Sequence, residues 1–433
     1  MIKKFKLILF IVFFIYQTSV FSKTKEEKSF NPKYLSNYLS GIISQNNENI
    51  SESVKYFSLS KILIGEHDQY LKKQVLALTL DSQIQKSINI IKNNKKKDST
   101  NFFEAKLLLL IDNFKKRKFD QNIELLDELE NYGDYSNYQY ITYEVLKNYN
   151  DLFITGEIQI DGESNFGKLS LINDAFKHCY LNKPETSSKF ISLINSDDGD
   201  YTRYLFFYFY NLIENKNFEG AKKISKTLNV LDRNLLISQS KQWLDKSNYD
   251  KFSQIFSCKN EADILAEFFF LISNFYAAEK EFEKSNFYLN ISNYLNPKFY
   301  FNLTHLLENY LENKKYKITK KILENFREED EIYYWYKLKK KYQIIYNEKN
   351  PDQALNYIEL KFKEYSNPSI KIIYDMANIY KSSQKFEESI KYYSKVLKKI
   401  NENSEAYADV LYKRGSSYER LGEDENSDKD LLK

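Results

Sequence analysis

The chain has 433 residues, 42% of them apolar, which is enough to bury a large core. Only 10 Gly and 5 Pro punctuate it, so a turn-rich β architecture is excluded in favour of long helices with short joins. The 64 Lys and Arg against 60 Asp and Glu leave a net charge of +4, without the basic stripe that nucleic-acid binding needs.

The first element is an export signal at 1–22. Met1–Lys6 is cationic, Leu7–Tyr16 is wholly apolar, and Val20-Phe-Ser22 offers residues that a signal peptidase reads. The apolar run is short for a membrane span, and no second stretch approaches one. The expectation is an exported protein of the periplasm or cell envelope, with an uncleaved membrane anchor as the alternative.

Residues 23–136 carry the first members of a repeated pattern, seen at Lys118–Leu126 as KFDQNIELL. Residues 137–265 continue it in eroded form, with NFEGAKKI at 217–224. Residues 266–433 show it best, as EFEKSNFYL at 281–289, KYKITKKIL at 315–323 and KFEESIKYY at 385–393. Units start at 34, 68, 103, 137, 168, 202, 232, 266, 300, 335, 370 and 408, a period averaging 34 residues. The starts at 137 and 232 are the weakest. The last unit breaks off in helix B, and a fragment or truncated product is an expectation drawn from that.

Position 20 of the units reads Ser53, Ser87, Asn122, Gly156, Ser187, Ala221, Lys251, Ser285, Thr319, Ala354, Ser389 and Ser427. Position 17 supplies Phe119, Phe153, Phe218, Phe282, Tyr316 and Phe386, and Pro297 stands at position 32. This pattern resembles the tetratricopeptide repeat. The resemblance implies an all-α, right-handed superhelical solenoid of antiparallel helix pairs, whose axes approach at small residues in positions 8 and 20.

Other chemistry finds little support. Gly162–Lys168 matches G-x-x-x-x-G-K, but Leu169 replaces the hydroxyl residue that ligates magnesium, so an irregular turn is the reading. His67, His178 and His305 are scattered, without metal-ligand spacing, and are taken as surface or groove residues. Cys179 and Cys258 lie far apart and are expected as buried free thiols, although an oxidising compartment would permit a bridge. Neither a cofactor nor a metal is expected, and the chain is expected not to be an enzyme.

The resemblance places the binding groove on helix A, at positions 2, 5, 9 and 12. These contribute Phe270, Phe301, Leu311, Tyr336, Tyr346, Tyr374, Asn378 and Tyr412, with Lys339 and Lys371 beside them. Aromatic rings there suit a peptide or helix of a partner protein. The expectation is a protein-interaction scaffold in the bacterial envelope. The alternatives are the accessory region of a cell-wall enzyme whose catalytic part lies beyond residue 433, and self-association of the solenoid.

Overall fold

The computed structural model describes residues 31–433 apart from 68, 95–97, 133–136, 160–164 and 197–201. The export signal and Gly162–Ser164 of the phosphate-loop-like motif lie outside the described residues. Helices account for the regular structure throughout, and no strand occurs among the described residues.

The chain folds as consecutive antiparallel pairs. They are α1 (Pro32–Asn46) with α2 (Ile50–Ser58), α3 (Tyr70–Leu80) with α4 (Ile84–Asn93), and α5 (Phe103–Lys115) with α6 (Ile123–Glu130). The long α7 (Tyr138–Thr155) stands without a second helix among the described residues, and Gly156 ends it in a left-handed conformation. Then come α8 (Lys168–Tyr180) with α9 (Thr186–Ile194), α10 (Tyr204–Glu214) with α11 (Phe218–Ser225), and α12 (Leu235–Asp245) with the short α13 (Asp250–Ile255). The final stretch pairs α14 (Glu261–Ala278) with α15 (Phe282–Leu295), α16 (Tyr300–Glu312) with α17 (Tyr316–Leu323), α18 (Glu331–Glu348) with α19 (Pro351–Lys363), α20 (Ile370–Ser382) with α21 (Phe386–Leu397), and α22 (Glu405–Arg420) with α23 (Asp424–Leu431).

One turn is used over and over. Glu48, Ser82, Arg117, Asn182, Lys216, Ser247, Lys280, Lys314, Gln384 and Gly422 all have positive φ, each just after a first helix. In each case the next amide reaches back to a carbonyl five residues earlier, as in Gln83 N–H to Leu78 O at 2.8 Å and Lys315 N–H to Tyr310 O at 2.9 Å. This is the Schellman closure, which satisfies carbonyls that a helix end leaves free. Nine of the ten left-handed positions are not glycine, so the scarcity of Gly did not prevent tight turns.

The small residues do what close packing requires. Ser53, Ser87, Ala221, Ser285, Thr319, Ala354 and Ser389 are wholly buried. Ser53 Oγ donates to Gly41 O at 2.9 Å and Ser87 Oγ to Val75 O at 3.2 Å, so positions 20 and 8 of one pair touch. A Cβ on Gly41 would lie 2.7 Å from the ring of Phe57. Lys251 departs from this rule and is exposed while Phe252 is buried, because α13 has only six residues.

Beyond neighbour stacking, the chain closes on itself. Helices α3, α5, α7 and α8 all touch the α14–α15 pair, so the inner face of the N-terminal arc holds a hairpin from far downstream in the chain. α15 is buried nearly all round, with Phe287, Tyr288, Leu289 and Ile291 each covered. Polar ties fix the seam: Arg117 to Glu261 at 2.8 Å, Lys321 to Asp81 at 2.8 Å, and Ser82 Oγ to Asn290 Oδ1 at 2.6 Å. No helix among the described residues is long and apolar enough to cross a membrane.

The cysteines correct the expectation of free thiols. Cys179, at the end of α8, and Cys258, just before α14, form a disulfide across a separation of 79 residues. Sequence distance misled because packing of Phe176 on Phe256, ring centroids 6.0 Å apart, brings the two segments together. In the chain-entropy view a bridge closing so long a loop stabilises by about 4–5 kcal/mol. Cys179→Ala with Cys258→Ala should therefore lower the unfolding free energy by about that amount in urea titration, and a reductant should do the same to the unaltered chain.

Candidate functional site

With the N-terminal inner face filled, the open concave surface belongs to the first helices of the C-terminal pairs, α16, α18 and α20. Side-chain caps set where α18 and α20 start: Asp330 accepts from Tyr333 N–H at 3.3 Å and Ser369 from Ile372 N–H at 3.4 Å. Between α16 and α18 lies a cavity of about 680 Å³. Phe301, Thr304, His305 and Glu308 form one wall, Tyr336, Lys339, Lys340, Tyr342 and Gln343 the other, and Arg233–Leu235 close one side.

Behind this cavity sits a buried ion pair. Arg203 and Glu267, 8% and 2% exposed, are joined by two hydrogen bonds, and Arg203 Nη2 also donates to Asn302 Oδ1 at 2.7 Å. The guanidinium lies over Phe270, 3.9 Å from its centroid, and over Phe301 at 4.6 Å. Its Nη1 has no hydrogen-bond partner among the described residues. His305 stands edge-on to Phe270, with centroids 4.9 Å apart, and is held neutral: burial, helped by the Arg203 charge, pushes its pKa down from 6.5 to about 4.

The remaining lining is polar and largely paired. Tyr336 O–H donates to Glu308 Oε1 at 2.6 Å, and burial with that carboxylate raises its pKa well above the usual value. Lys340 pairs with Glu308 at 2.7 Å and Lys339 with Asp375 at 2.8 Å. Arg233 is exposed and has no carboxylate within ion-pair distance among the described residues. Among the described residues the cavity therefore joins aromatic surface to the exposed charge of Arg233.

The structure disperses the residues that sequence placed in a groove. Phe301, Tyr336 and Lys339 meet in the cavity. Lys371 and Tyr374 lie further along, where Lys371 Nζ donates to Leu231 O at 3.4 Å and Tyr374 O–H to Asp409 Oδ2 at 2.5 Å. Tyr346 and Tyr412 are exposed, 45% and 65%, away from the cavity. Phe270, Leu311 and Asn378 are corrected to packing roles: Phe270 is covered by Arg203, Leu311 is buried at the end of α16, and Asn378 accepts from Tyr393 O–H at 2.8 Å. Arg203, Arg233 and Glu308 were missed although they stand at positions 2, 2 and 9 of the units starting at 202, 232 and 300, because the signal followed was aromatic rings and lysines of the units from 266 onward. His305, taken from sequence as a surface or groove residue, lines the cavity at position 6 of its unit, one turn from Phe301.

Removing Glu267 leaves a buried guanidinium uncompensated, so Glu267→Ala should cost about 3–5 kcal/mol in denaturant unfolding. For His305 the folded value lies below the ordinary one, so the unfolded chain binds more protons between about pH 6.5 and 4. Stability then falls as pH drops through that window, by up to about 3 kcal/mol. Asp263, pushed up to about 7 by burial, slopes the other way, so the measurement is the difference between His305→Gln and its parent at each pH. That difference should shrink steadily towards pH 4 in favour of the variant.

No family model matches the chain, and no curated protein is similar to it in sequence. Among solved structures, the crystal structure of yeast Tom70 is similar at 12% identity and a TM-score of 0.32, covering 92% of this chain and 90% of that one. The Cut9–Hcn1 hetero-tetramer of the APC/C is similar at 12% identity and a TM-score of 0.30, covering 92% and 86%. Likeness at this level carries no weight of its own. The ten Schellman turns and the buried position-20 contacts make the chain an all-α solenoid of tetratricopeptide-like helix pairs.

Proposed function

We propose that the protein is a non-enzymatic scaffold that binds a peptide or helix of another protein on the concave face of its C-terminal pairs, and that it works after export, in the bacterial periplasm or cell envelope. The observation that carries the reading is the division of the inner surface. The N-terminal arc grips α14 and α15, whereas α16 and α18 keep an open cavity of about 680 Å³ between aromatic walls. Rigid rings such as Phe301 and Tyr336 bury area at small entropic cost, which suits recognition of a chain segment. Export is supported by the cationic, apolar and small-residue order of 1–22.

A photocrosslinking residue placed at Gln343, which is exposed at the cavity rim, should capture a reproducible protein in cells, and one at Tyr412 should not. Phe301→Ala with Tyr336→Ala should weaken that partner's binding by roughly a hundredfold, as loss of two aromatic anchors does. Unchanged binding in a variant that melts like its parent would end this reading.

A further inference from the structure

The connection between α11 and α12 does something the repeat does not require. Asn229–Arg233 is irregular and largely accessible, yet its Leu231 is only 6% exposed. Leu231 is buried in the core of the C-terminal pairs, in one cluster with Ile373, Tyr374 and Ala377 of α20 and Tyr393 of α21, with Val230 packed against it. Its carbonyl accepts from Lys371 Nζ at 3.4 Å. Lys371 and Tyr374 are positions 2 and 5 of their unit, where the groove was expected. A segment of this chain therefore lies where a ligand peptide would.

The resident segment is held on α20 by the Leu231 side chain and the bond from Lys371. Its own bonds are local: Leu231 N–H to Asn229 Oδ1 at 2.8 Å, and Asn234 N–H to Asp232 Oδ1 at 2.8 Å. The Asp232 carboxylate is turned to that local bond, and Lys371 has no carboxylate within ion-pair distance among the described residues, nor has Lys381. On this half-buried face Lys339, Lys371 and Arg233 outnumber the neighbouring Asp232 and Asp375, and Lys371 receives a backbone carbonyl where an acidic group would fit it better.

Resting on the scaffold reading above, we propose that the face of α20 is a docking site for an extended acidic segment of a partner protein with an aliphatic anchor, and that Asn229–Asp232 occupies this site as a displaceable stand-in until the partner arrives. A groove that must first release its own loop binds more weakly in proportion to the fraction of time it is open. The loop thereby sets a threshold for partner affinity.

The probe is a fluorescent peptide of residues 227–234, TLNVLDRN, added to the full mature chain. Val230→Ser with Leu231→Ser, which disables the resident loop, should bind it at least about tenfold more tightly than the unaltered chain. Adding Ala377→Arg to that variant should abolish binding. A peptide carrying Arg233→Glu should bind several-fold more tightly than TLNVLDRN, and one carrying Leu231→Ser should not bind. Hydrogen exchange in the unaltered chain needs no variant: excess Arg233→Glu peptide should speed exchange across 227–234. Equal affinity of the loop-disabled and unaltered chains overturns the stand-in while leaving the groove. No peptide binding by either, with unchanged exchange, overturns the docking site on α20, and crosslinking at the cavity still judges the scaffold reading separately.

Discussion

The burial of α15 on all sides is the constraint from which the rest of the architecture follows. In a simple stack the second helix of a pair shows one face to solvent. Here Phe287, Tyr288 and Ile291 are covered together, because the N-terminal arc lies against the face that would otherwise be wet. A helix apolar or satisfied all round is a core helix, and a core helix in a solenoid forces the solenoid to wrap. The charged ties at Asp81 and Glu261 then set the register of that wrap: each of those carboxylates is nearly buried, 5% and 4% exposed, and meets a cation from the opposite arc.

Closure divides the labour between the two halves. Helices α3, α5, α7 and α8 spend their inner faces on α14 and α15. The C-terminal first helices keep theirs, and the features that suit binding gather there: ring walls, the neutral His305, the exposed Arg233 and the loop over α20. The buried Arg203–Glu267 pair sits between these regions and anchors Phe270 and Phe301 from behind, which keeps the cavity wall rigid.

What could be read in advance was whatever repeats. Small residues at position 20 announce a helix contact wherever a second helix follows, and Ser53, Ala221, Ala354 and Ser389 are buried for that reason, whereas Gly156 ends α7 with nothing within 4 Å of a Cβ placed there. The fading of the pattern near 137 and 232 corresponds to α7 standing without a second helix among the described residues and to the six-residue α13. What could not be read was whatever occurs once. Lys321 meets Asp81 across 240 residues, Leu231 leaves its own unit for another, and Cys179 finds Cys258, and none of these carries a periodic signal. The groove positions suffered most, because a family pattern assigns faces to an open superhelix and this one is partly closed: Phe270, counted as groove, ended up beneath Arg203.

The disulfide has a mechanical meaning too. If the chain's two ends were pulled apart, tension would cross from α8 to the start of α14 through the sulfur bridge, and the residues from 180 to 257 would carry none of it. Those residues include α10, α11 and the Asn229–Arg233 loop. A stretched molecule would thus unravel at its ends while the segment that lies on α20 stayed free of load along its own backbone.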